Sequence, residues 1–230
     1  MSVNLKSAFK FYRKNVYYKP VFKVITVIIY LCTLALAVVS SAFVFNEGET
    51  EREILTMLPL AFTMSSVPVL FASVSSVFKF QQSTPHYEII IKKLIPILTN
   101  IRCLILSTVS IASAFIGVTV QKGDMSIISD VVVITAAMVL MTLISSGLET
   151  YMRYFIPMAA MIVFFTIPMF VSLFRENFTL FYSGFGIPLP VALIIFAAAY
   201  IIGTVLSFKL AERTYRKRTP LPYMAQTARR

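Results

Sequence analysis

Few residues in this chain could do chemistry: one histidine, His86, two cysteines, Cys32 and Cys103, and ten acidic side chains among 230 residues. Acyl transfer needs a serine or thiol beside a base, and His86 is the only imidazole available. A metal site needs several His, Cys or acidic ligands that converge, yet the two cysteines fall in separate apolar stretches, where they read as free thiols packed as small hydrophobes. Nucleotide hydrolysis needs a glycine-rich loop ending in Gly-Lys-Ser/Thr, whose N–H groups cradle phosphates. None of the seven glycines precedes such a lysine. A proton relay would place carboxylates deep in apolar spans, whereas Asp130 and Glu149 fall near the ends of theirs. The expectation is a chain that is not an enzyme and holds no catalytic, metal or cofactor site.

The elements that surround these residues are apolar. Hydrophobic residues make up 58% of the chain and charged ones 13%, against about 25% charged in soluble domains. The mean hydropathy is +0.82, carried by several stretches near the ~20 residues that a helix needs to cross hydrocarbon. The reading is an all-α polytopic membrane protein with six transmembrane helices at about 21–45, 54–78, 94–120, 127–148, 154–174 and 187–209. Residues 1–20 form an N-terminal cytoplasmic segment, 21–209 the transmembrane domain and 210–230 a basic cytoplasmic tail. The first 19 residues show no cleavable signal pattern.

Charge sets the orientation. The net charge of +11 would suggest nucleic acid for a soluble protein, but its distribution is a topology signal and no nucleic-acid partner is expected. With six spans, Arg52, Lys122 and Arg175 fall on one side and the other 18 of the 21 basic residues on the side of both termini. The positive-inside rule makes that side cytoplasmic and the protein a multi-pass component of the plasma membrane.

Ahead of the first span, Leu5, Ala8, Phe9, Tyr12 and Val16 recur at helical spacing, with Lys6, Lys10, Arg13 and Lys14 on the rest of the wheel. This is a basic amphipathic helix suited to the membrane surface, ended by Pro20. Between the second and third spans lies a cytoplasmic segment at about 79–93. Ser83-Thr84-Pro85 suits a helix start, and His86 to Ile95 reads as a short amphipathic helix running into Pro96. Glu88 near its start and Lys92 and Lys93 near its end suit the helix dipole. Such a helix either docks on a soluble partner or lies on lipid headgroups. Pro59 and Pro68 in the second span and Pro157 and Pro168 in the fifth mark kinks, serving packing or gating. The aromatic stretch at about 176–190, broken by Gly184 and Gly186, reads as a re-entrant or an interfacial segment.

The order of these parts resembles the ABC-2-type transporter permeases. The features that carry the resemblance are Tyr87-Glu88-Ile89-Ile90-Ile91 leading to Pro96, the aromatic broken segment before the last span, and the ending Phe208-Lys209-Leu210-Ala211-Glu212-Arg213-Thr214-Tyr215-Arg216-Lys217-Arg218. The resemblance implies a permease subunit of an ABC exporter that pairs with a second permease, identical or related, and with two cytoplasmic ATPase subunits that hold ATP and Mg. It makes Tyr87, Glu88, Ile91, Lys92 and Lys93 the coupling helix that seats in the ATPase. The sparse charge within the spans suits a hydrophobic or amphipathic cargo such as a peptide, toxin or drug. Two other readings keep the same architecture: a substrate-binding membrane subunit of an uptake system, and a non-transporting scaffold or assembly factor.

Overall fold

The computed structural model of the chain describes residues 4–16, 20–42, 61–62, 84, 86–121, 126–152 and 186–218. Within them the structure is helical, with no strand. Helix α1 (Leu5–Val16) opens on a reciprocal cap: Ser7 N–H donates to Asn4 Oδ1 at 2.8 Å and Asn4 N–H donates to Ser7 Oγ at 3.2 Å. Helix α2 (Pro20–Ala42) begins on the proline, which the first helical position tolerates because that N–H lacks a partner anyway. Helices α3 (Ile95–Gln121), α4 (Ser126–Met152) and α5 (Leu189–Arg218) follow. Gly186, at φ +60°, sits just before α5 in the left-handed region that favours glycine.

Three helical stretches, Tyr87–Val120, Ser126–Gly147 and Leu189–Arg213, are long and apolar enough to cross a membrane, and α2 adds the shorter apolar stretch Lys23–Val39. These mark the chain as a helical membrane protein. The outward faces agree, since Val24, Val27, Ile28 and Leu31 on α2 and Ile194, Ile201 and Ile202 on α5 are all more than half exposed. In water that much contiguous apolar surface would drive association; in hydrocarbon it is the solvated surface. Hydroxyls turned into this environment bond back to their own helix, as Thr108 Oγ1 does to the Leu104 carbonyl at 2.8 Å and Thr119 Oγ1 to that of Phe115 at 2.7 Å.

Helix directions follow from the packing. α1 lies against the turns that lead into α3, and only residues 17–19 separate it from α2, so α2 and α3 start at the same end. Val118 late in α3 packs with Ile128 and Val132 early in α4, so α3 and α4 are antiparallel. Ala192 early in α5 joins that same cluster, while Gly203 meets Leu143 and Gly147 meets Leu210 further along. α4 and α5 therefore run parallel. The middle of the bundle is a core of Ala37, Cys103, Leu106, Met138, Val139 and Leu143, into which Ala61 and Phe62 insert. Those two are the only described residues of the expected second span. Pro59, Pro68, Pro157 and Pro168, the fifth span and most of 176–190 lie outside the described residues.

Span ends expected from hydropathy match these helices within a few residues, with two differences. α5 continues to Arg218, so the start of the expected tail is helical. Pro96 does not end the helix before it: an α-helical turn, Tyr87–Ile89, and a π-helical turn, Ile90–Leu94, run without interruption into α3. The wide turn is the physical reason. In it Ile95 N–H reaches back to the Ile90 carbonyl, and such single-turn bulges let a helix absorb a local misfit of its ladder, here beside a residue that has no N–H to donate.

Candidate docking surface at the basic end

The end of the bundle where α2 and α3 begin carries Lys6, Lys10, Arg13 and Lys14 of α1, all exposed, with Lys92, Lys93, Lys209 and Arg213 nearby in the fold. The lead-in turn begins at Tyr87, later than the Ser83-Thr84-Pro85 start expected from sequence. The Thr84 carbonyl accepts Tyr87 N–H at 3.1 Å, the His86 carbonyl accepts Ile90 N–H at 3.0 Å, and no side chain caps the start. His86 is part of the packing: its ring stacks on Phe11 of α1 at 4.7 Å with the planes 5° apart.

Of the five expected coupling residues the structure separates two kinds. Tyr87 and Ile91 are buried, together with Ile90, Leu94 and Ile95, against Ala8 and Tyr12 of α1. Glu88, Lys92 and Lys93 face outward, and Lys92 Nζ donates to Glu88 Oε1 at 2.6 Å, an i,i+4 pair with half of the Glu88 side chain exposed. At that exposure the pair contributes under about 1 kcal/mol. The apolar face of the lead-in turn is therefore taken by α1, and what it offers outward is charge.

α1 differs from its expected form in the same way. Its apolar residues do not make one lipid-facing stripe. Ala8 and Tyr12 bury against the lead-in turn, while Leu5 and Phe9 stay exposed at 43% and 42%. The helix has three sectors: one against protein, one apolar and open, one basic.

Below this end lies a polar cluster that sequence reading passed over. Asn100, 7% exposed, accepts Thr204 Oγ1–H at 2.6 Å through Oδ1 and donates Nδ2–H to the Pro96 carbonyl at 2.8 Å and to Ser207 Oγ at 3.4 Å. Tyr200 O–H reaches the Asn100 carbonyl at 3.4 Å. An asparagine inside an apolar run was the available signal, because an amide in hydrocarbon needs partners on a neighbouring helix. Replacing it by leucine removes the bonds of its side chain to Thr204 and Ser207 on α5, keeps its backbone carbonyl for Tyr200, and leaves the α4–α5 pair intact. Asn100→Leu is expected to lower stability by about 1 kcal/mol, the range of interhelical bonds in membranes, read as a small fall in the thermal midpoint in detergent. A midpoint equal to that of the unaltered protein would show that this cluster holds nothing together.

Cys32 is exposed and Cys103 buried, and both are free thiols. Among the described residues no three His, Cys, Asp or Glu side chains converge as a metal site would require. No protein-family model, curated protein or solved structure matches the chain.

Proposed function

We propose that this chain is the transmembrane permease subunit of an ATP-driven transporter of the ABC-2 type, moving a hydrophobic or amphipathic substrate outward. It pairs with a second permease and with cytoplasmic ATPase subunits that hold ATP and Mg. The observation that carries the reading is the lead-in turn: an exposed, charged turn, braced by α1, that is continuous with a membrane-spanning helix. A soluble partner seated on Glu88, Lys92 and Lys93 would move α3 directly, since no loop lies between them to absorb the motion. Asn100 would pass that motion to α5 through Thr204.

Six crossings are part of this proposal, and the helix directions support them. α2 and α3 start at one end, so the chain between them must return to it; α4 and α5 both start at the other end, so the chain between those two must return as well. Four described helices with two returns make six passages, both termini at the basic end. That end is cytoplasmic by the positive-inside rule and the membrane is the plasma membrane.

The test is purification of the tagged chain in mild detergent from its native cell, with mass spectrometry of co-eluting proteins. A stoichiometric soluble ATPase is expected, with at least a tenfold smaller yield for Lys93→Glu, because reversed charge in a matched interface adds repulsion to the lost attraction. Lys93 is the cleaner site, since Lys92→Glu also sets two carboxylates at i,i+4 against each other. An unchanged ATPase yield with Lys93→Glu sinks the docking role, and elution without any ATPase sinks the transporter assignment.

A further inference from the structure

Arg102 lies on α3 two turns past Ile95, inside the stretch that crosses the membrane. Its Nη1 nitrogen is buried and has no hydrogen-bond partner, and the same holds for the hydroxyl of Tyr30 on α2. Ala37 of α2 packs with Cys103 and Leu106 of α3, and Tyr30 lies two turns before Ala37 on a helix that starts at the same end as α3, so Tyr30 and Arg102 border the same α2–α3 seam. On α2 that seam is marked by Tyr30, Thr33, Ala37 and Ser41, at helical spacing, with the last three buried. Among the described residues no ion pair to Arg102 is seen: Glu88 bonds Lys92 on the lead-in turn, and Asp130 sits early in α4, at the far end of the bundle.

A guanidinium at the edge of hydrocarbon with no counter-charge is costly, and its planar fork matches a phosphate. The walls of the seam say how the anion arrives. Ile28 and Leu31 on α2 and Ile101, Leu104 and Ile105 on α3 are apolar and exposed, so a free, hydrated anion would have to pass hydrocarbon to reach Arg102. An anion carried on acyl chains meets both surfaces at once.

We propose that the α2–α3 seam at Tyr30 and Arg102 binds the phosphate of a membrane lipid from the leaflet at the basic end, with Arg102 as the charged clamp and Tyr30 O–H as the second donor. The site stands on these two residues alone and does not depend on the transporter assignment.

The experiment is native mass spectrometry of the full chain, released from nanodiscs containing phosphatidylglycerol, a phosphate-free galactolipid, or the galactolipid plus inorganic phosphate. The expected result is retained phosphatidylglycerol on the unaltered protein. Its occupancy should fall roughly tenfold for Arg102→Gln, the loss of one charge-assisted contact, and by a smaller factor for Tyr30→Phe, which removes a single oxygen and keeps the packing. Lys10→Gln with Lys14→Gln, which strips surface charge from α1, should leave occupancy unchanged. Phosphatidylglycerol occupancy in Arg102→Gln and Tyr30→Phe equal to that of the unaltered protein overturns the site. So does equal retention of the galactolipid, which would make the contact one of acyl chains only. Retention of inorganic phosphate without lipid also overturns it, by making the seam a site for a free anion.

Discussion

Gly147→Leu is expected to lower stability by about 3 kcal/mol, the upper range for overpacking a tight contact. A Cβ at this position would lie 2.8 Å from Leu210 Cβ. That atom is fixed to the α5 backbone, so no rotamer change can give way and the two helices must move apart. Small residues at such crossings are how parallel membrane helices approach closely enough for dispersion to hold them, since lipid supplies no hydrophobic drive between them. Gly203 makes the control. Its added Cβ would meet Leu143 Cδ1 at 2.9 Å, the far end of a side chain that can turn, with Leu143 Cβ at 3.2 Å. The methyl also improves helix propensity by about 1 kcal/mol, so Gly203→Ala should fall within about 0.5 kcal/mol of the unaltered protein, the usual range where strain and propensity offset. Steric-trap or thermal unfolding in detergent measures both. If Gly147→Leu is as stable as Gly203→Ala, α4 and α5 are not packed as described.

The contrast between those glycines shows what sequence could and could not reveal. Apolar length and the charges that bound it place the starts of α2 to α5 within a few residues, because entering hydrocarbon is a property of the chain alone. The closeness of Gly147 to Leu210 is a property of two helices, whose contacting residues are separated by 62 others in the chain. Pro96 misled for a related reason. The rule that proline ends a helix assumes an unaltered i→i+4 ladder, and the π turn at Ile90–Leu94 changes that ladder. The apolar faces of α1 and of the lead-in turn were both legible, and their partner was not. Helical periodicity says that a face is covered, and lipid, an ATPase groove and a neighbouring helix all satisfy it. In the structure Ala8 and Tyr12 choose Tyr87 and Ile91, which leaves Leu5 and Phe9 as an open apolar stripe and Glu88 and Lys93 facing outward.

That division makes Tyr12→Ala the sharpest test of how the basic end is built. Tyr12 is 4% exposed and packs in the same cluster as Tyr87, Ile90 and Ile91. Truncating a buried aromatic costs about 3–5 kcal/mol in a core, and the lower figure suits a cluster at a bundle end. A helix of 12 residues is marginal in water on its own, so losing its seat means losing its structure. Amide exchange across Leu5–Val16 should accelerate by roughly a hundredfold, the equivalent of about 3 kcal/mol of local opening, while α4 and α5 keep their protection. Phe9→Ala, on the open stripe, should leave exchange in detergent nearly unchanged and weaken protection only in anionic bilayers, where Leu5 and Phe9 with Lys6 and Lys10 have lipid to contact. The reverse pattern, with Phe9→Ala releasing α1 in detergent and Tyr12→Ala leaving it protected, would mean that the surface rather than the lead-in turn holds α1. The brace beneath Glu88 and Lys93 would then be absent, and the lead-in turn would be held through α3 alone.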